Sequence, residues 1–305
     1  MSNILHVKQG WIRALLFFFV GVIISGSIAS PIHTFIEEGG LGGTHTVNQS
    51  LLDVFLFYVI NYIGILLCLW YFRTKIDEES IFTLGFKWSG FSKDAFLGAG
   101  VAMLIVGVGT LLLYVGDNLK VYRVNLNILN LLVSTLLFIL VAFVEEVVIR
   151  GYVLINLMED MNRWLALFIS AILFTLMHLG NEGINLLADL NIFIAGILLG
   201  VNYIYTKNLW FAIFLHFSWN FFQGSIIGFN VSGMKIDTGI MEIITNGPNE
   251  ITGGLFGFEG SAFATILQLI AIVALAMVYE KKYGKKLVKS YQRPVAATTT
   301  PKEID

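Results

Sequence analysis

Apolar residues gather along the chain into runs of about 20, the length that crosses a hydrocarbon core. They can be placed at roughly 12–32, 51–72, 94–115, 127–150, 164–180, 186–206, 209–229 and 261–280, with polar and charged residues collected between them. The pattern predicts an all-α, polytopic membrane protein with about eight transmembrane helices. The fifth run is short, and the fourth is able to continue to about 157. The first, IRALLFFFVGVIISGSIAS, ends in small residues as a signal peptide would, yet it is long for one and reads as an uncleaved span.

Composition changes little in this picture and excludes some alternatives. Of 305 residues, 56% are hydrophobic and 13% charged, and mean hydropathy is +0.78, so the lipid bilayer is the first partner to expect. A net charge of −2 and a pI near 6.2 leave no basic footprint for nucleic acid. The single cysteine, Cys68, excludes an internal disulfide framework and a Cys-cluster metal site.

Where the charges fall says more than their sum. Lysine and arginine occupy alternate inter-span segments: Lys8 and Arg13; Arg73, Lys75, Lys87 and Lys93; Arg150 and Arg163; Lys207; and a cluster from Lys281 to Arg293. The opposite loops hold only Lys120, Arg123 and Lys235. This asymmetry predicts a multi-pass protein of the cell membrane with both termini cytoplasmic. Residues 1–120 then carry the first three spans, 121–230 the next four and 261–289 the last with its basic flank. The Gly- and Asn-rich stretch 231–260 reads as an extracytoplasmic loop with the character of a lid, and 290–305 as a disordered cytoplasmic tail.

Against this background the stretch VAFVEEVVIRGYVLINL, residues 141–157, is anomalous. An ionisable group at the centre of a span costs roughly 2.5–3.5 kcal/mol on insertion scales, so each one is a candidate functional residue. Glu145, Glu146 and Arg150, with His178 and His216, nearly exhaust the set within the apolar runs. On a helix, Glu146 and Arg150 share a face and Glu145 points about 100° away. Asn220 lies one turn after His216, and Phe174 one turn before His178.

Two imidazoles, an amide and one or two carboxylates meeting in a single cavity would support hydrolysis. Glu145, His178 and His216 form a donor set for Zn2+ or another divalent metal, which would lower the pKa of a bound water. A metal-free version uses the same residues, with Glu145 and His178 orienting the water and His216 with Asn220 holding an oxyanion. Each group taken alone has a plainer reading: an ion pair with one glutamate reaching the interface, or polar glue between helices. Ser170 and Ser218 lack a glycine-flanked nucleophile setting, and no pair of midspan aspartates exists to share a proton.

The order EEVVIR, FTLMH, HFSWN resembles the EExxxR, FxxxH and HxxxN motifs of the CPBP family, the CAAX-prenyl endopeptidase or Abi intramembrane proteases, over about residues 140–225. The resemblance implies a catalytic set of Glu145, Glu146, Arg150, His178, His216 and Asn220, with the first glutamate activating water. It implies, too, an endopeptidase acting on a membrane-associated peptide or protein. Two other classes use the same cavity: a non-proteolytic membrane scaffold or regulator, and a proton-coupled transporter. Counted from Trp164 and Trp210 at about 1.5 Å per residue, the two histidines lie at different depths, so untilted parallel helices would keep them apart.

Overall fold

The computed structural model describes residues 7–37, 51–235 and 239–290. Its helices are α1 (Gly10–Glu37), α2 (Leu51–Tyr71), α3 (Ser92–Val115), α4 (Ile128–Glu146), α5 (Ile155–Asp160), α6 (Arg163–Leu176), α7 (Leu186–Gly200), α8 (Tyr203–Thr206), α9 (Trp210–Asn220), α10 (Asn249–Thr252) and α11 (Ala262–Ser290). α4 runs without a break through a π-helical segment, Val147–Leu154, into α5. A second π segment, Phe221–Ile227, follows α9. The chain is an all-α multi-pass membrane protein.

Each of the eight apolar runs contains helix, but the runs are not eight equal spans. Among the described residues six helices are long and apolar enough to cross a membrane. The fourth is 33 residues long, from Ile128 to Asp160, and so takes the longer of the two expected extents, past 150 and slightly beyond 157. The fifth run stops at Leu176, because the chain turns between the Met177 cap and Asn185. Asn185 then caps α7 by accepting from the Leu187 and Ala188 amides. The seventh run is an 11-residue α-helix with the π segment as its continuation.

Burial ranks the spans. Only 22% of the apolar window is covered in α1, α2 and α11, against 56% in the Ile128–Asp160 helix and 67% in Leu186–Thr206. The motif-bearing α4 and its neighbour α7 are therefore the bundle's interior. α7 reaches α6 through small residues: Gly196 and Gly200 form a GxxxG spacing, and a side chain added at Gly196 would sit 2.9 Å from Ala171 Cα and Cβ. Close backbone approach of this kind replaces the hydrophobic drive that lipid removes.

Charged residues gather at one end. Arg13 pairs with Asp77 and Glu159, Arg73 with Asp77, and Arg163 with Glu280. At the other end, β1 (Leu119–Val124) and β2 (Met241–Thr245) pair antiparallel, Leu119 opposite Thr245 and Val124 opposite Met241, with an irregularity between Val121 and Arg123. The expected loop 231–260 is thus a packed cap. Phe256 and Phe258 are wholly buried, and Phe258 rests on Gly109 of α3. Gly257, at φ +96°, turns the chain between them where a side chain would strike the Asn230 carbonyl. Sequence reading missed this because Gly- and Asn-rich segments carry no periodicity; their order comes from what they pack on. Residues 236–238 of that loop, and the expected disordered tail from 291 onward, lie outside the described residues.

Candidate active site within the helix bundle

The EEVVIR motif straddles the junction of α4 and its π segment. Glu145 and Glu146 close the α-helical part and Arg150 sits in the wider turn, a local geometry that recurs at functional sites. Glu146 and Arg150 are both completely buried. Glu146 Oε1 accepts from Arg150 Nη1 at 2.9 Å and lies 2.8 Å from His216 Nδ1. Arg150 Nη2 donates to the Gly196 carbonyl at 3.0 Å, and its guanidinium lies 4.5 Å over the Phe174 ring. One carboxylate oxygen therefore joins α4 to α9, while the arginine ties α4 to α7 and α6.

Phe174 is the hub of the aromatic contacts. Its ring centroid is 4.7 Å from His178 and 6.3 Å from His216. The histidines are thus brought to one place, so α6 and α9 do not run parallel and untilted from a common level. His178 itself lies in the turn after α6, not within a span, and its backbone amide donates to the Thr175 carbonyl.

The ring nitrogens have separable roles. His178 Nδ1 is 2.8 Å from the Phe174 carbonyl, an oxygen that only accepts, so the proton belongs on Nδ1 and the lone pair on Nε2. His216 Nδ1 faces a carboxylate, which assigns it a proton too and favours a second proton on Nε2. Both rings line one cavity between α6, α7, α9, α11 and the cap, and Asn220 lines it as well.

Glu145 departs from expectation. It and Glu146 are absent from the lining. Glu145 Oε1 accepts from Tyr62 of α2 at 2.9 Å, a partner that no spacing within the motif could reveal. Glu145 still acts electrostatically on Arg150 and His216. One oxygen of each glutamate, Oε2, is buried without a hydrogen-bond partner among the described residues.

The metal set expected from Glu145, His178 and His216 is not assembled. Among the described residues no three His, Cys, Asp or Glu side chains converge as ligands. Three protein ligands around one ion are what a catalytic zinc site requires, so the arrangement does not fit one and no step is routed through a metal. The cavity has another acid that the motifs did not indicate, Glu259 of the cap. The signal for it was available: it is the sole charged residue between Glu250 and Glu280. Burial pushes its carboxyl above the ordinary range, against the Ser232 donors that pull it down.

Residues 127–222 match the family model described as Rce1-like, type II CAAX prenyl endopeptidase Rce1-like. No curated protein matches the chain. The matched stretch contains every motif residue from Glu145 to Asn220, and over it the chain is similar to the CPBP family of intramembrane proteases.

Proposed function

We propose that the protein is a glutamate-dependent intramembrane endopeptidase that cleaves a membrane-associated peptide or protein. The observation that carries this reading is the Glu146 oxygen shared by Arg150 and His216, beside a cavity that His178, His216 and Asn220 line together. A carboxylate neutralised by arginine is a weak base, so Glu146 is the orienting group. Glu145, held only by a neutral hydroxyl and less deeply buried than Glu146, is the base.

In this reading Glu145 Oε2 takes one proton of the attacking water while the water's other O–H donates to the His178 Nε2 lone pair, which turns the water's own lone pair towards the scissile carbonyl. His216, kept charged by Glu146, and the Asn220 amide donate to the developing oxyanion. Glu145 then hands its proton to the leaving amine. The same reading keeps both termini cytoplasmic, in line with the gathering of Arg13, Arg73 and Arg163 at one end.

The test is cleavage of membrane-embedded peptides by purified protein in nanodiscs. Glu145→Gln is expected to lower kcat by about 10^3 or more without changing the melting temperature. Cleavage at the wild-type rate by both Glu145→Gln and His178→Ala would sink the assignment. Metal analysis of the active wild type decides the ion separately: a stoichiometric divalent metal lost in His178→Ala would replace this mechanism with a metal-assisted one.

A further inference from the structure

The cavity has polar lining residues outside the three motifs, contributed by the cap and α11. Glu259 is 7% exposed and Gln268 1% exposed, and both line the cavity. Glu259 is fixed from its own backbone: its carbonyl and that of Ser261 accept from Asn191 Nδ2 at 2.7 and 2.9 Å, and Asn191 Oδ1 accepts from Thr265 at 2.6 Å. Glu259 Oε2 accepts from the Ser232 amide and hydroxyl, and the Gln223 amide supports the carboxylate too. Ser232 is in turn held by Asn181, whose Nδ2 donates to its carbonyl at 2.8 Å. This is a rigid mount for an acidic group.

What the mount lacks is an opposite charge. The groups that hold the Glu259 carboxylate are neutral: the Ser232 amide and hydroxyl and the Gln223 amide. Gln268 Oε1 is buried with no hydrogen-bond partner among the described residues. A buried carboxylate and a buried unpaired acceptor each cost free energy, and both are relieved by a donor cation. Ile192, Ala195, Leu198 and Leu199 line the same cavity and give an apolar wall along which the methylenes of a long basic side chain can lie.

We propose that the part of the cavity lined by the cap and α11 is a recognition subsite for a basic side chain, lysine or arginine, of the bound peptide, with Glu259 as counter-ion and Gln268 Oε1 as second acceptor. The proposal rests on the endopeptidase reading for its peptide ligand, and the experiment separates the two. Fluorescein-labelled decapeptides of alanine and leucine, with one Lys, Arg, norleucine or Glu moved through successive positions, serve as probes. Binding is read by anisotropy on full-length Glu145→Gln protein in nanodiscs, and cleavage on wild type.

At one position Lys and Arg are expected to bind at least about tenfold more tightly than norleucine or Glu. Glu259→Gln, which keeps an acceptor for Ser232, should shrink that preference to about twofold, and Glu259→Arg should turn it towards Glu. Should Glu259→Gln fail to fold, Gln268→Leu must still weaken the basic preference. Equal binding of Lys and norleucine peptides at every position, or a basic preference untouched by both variants, overturns the subsite. Cleavage without basic preference discards the subsite and leaves the peptidase; basic preference in binding without any cleavage keeps the subsite and discards the peptidase.

Discussion

Two buried carboxylates, Glu146 in the motif helix and Glu259 in the cap, are stabilised by opposite means. Glu146 sits between a fully buried arginine and an imidazole, so its charge is cancelled within the bundle. Glu259 is held by the amide and hydroxyl of one serine, so its charge is solvated by neutral donors. The difference teaches what each is for. A compensated charge is a fixed part of the framework that orients other groups, whereas an uncompensated one can still answer to a ligand.

Breaking the compensation should have the largest effect on stability. Arg150→Ala leaves Glu146 buried without its cation and is expected to cost about 3–5 kcal/mol, seen as a large fall in melting temperature in detergent. Arg150→Lys keeps the charge but not the two-pronged reach to Glu146 and the Gly196 carbonyl, and should recover only part of it. A wild-type melt for Arg150→Ala would mean that the pair is not what holds α4 against α7.

Tyr62→Phe probes the third glutamate, Glu145, in the same terms. It removes one hydrogen bond to a carboxylate while keeping the ring that packs at 5.4 Å on Tyr58. Since such a bond is worth about 1.5–3 kcal/mol, kcat should drop by about 10- to 100-fold at nearly constant KM. The double variant with Glu145→Gln should be no slower than Glu145→Gln alone. Additive losses would mean that the tyrosine acts on something other than the glutamate.

The cap should be gentler to perturb. Ser232→Ala deletes one of two donors to Glu259 Oε2 and is expected to cost about 1 kcal/mol, measured as a small shift in melting. The smallest effect is in pH dependence. Burial raises the folded-state pKa of Glu259, so the folded protein keeps a proton that the unfolded chain has already released. Stability is then lost as pH climbs from the ordinary carboxylate range to the raised one, and the loss is absent below that window. Melting wild type and Glu259→Gln across it should show the variant gaining on wild type as pH rises; parallel curves would contradict the uncompensated charge.

The motif end was readable because charge in a span is costly and helical spacing restricts partners. Glu146 with Arg150 follows from four-residue spacing alone. His178, Phe174 and His216 were readable as residues, yet not their meeting, which depends on how α6 and α9 are set. Within EEVVIR the division follows the spacing, but the partners on other helices were not legible: Glu146 reaches His216, and Glu145 turns to a tyrosine on α2 that lies outside the matched segment. The expected three-ligand metal set did not assemble for the same reason, since the angle between neighbours on a helix says nothing of what the next helix presents.

Sequence by itself determined the solvent of this protein, the place of its apolar runs and the identity of its costly polar residues. Each rests on a local quantity: hydropathy over about 20 residues, or the insertion cost of one side chain. Tertiary structure alone decided which helices are central, how 231–260 folds into a cap, and which polar atoms share the cavity. Those outcomes depend on close approach at Gly196, on Asn191 and Ser232 stitching distant segments together, and on Tyr62 and Glu259 arriving from opposite ends of the chain. Contacts between residues far apart in sequence leave no period in either partner, so they become visible only when the bundle closes.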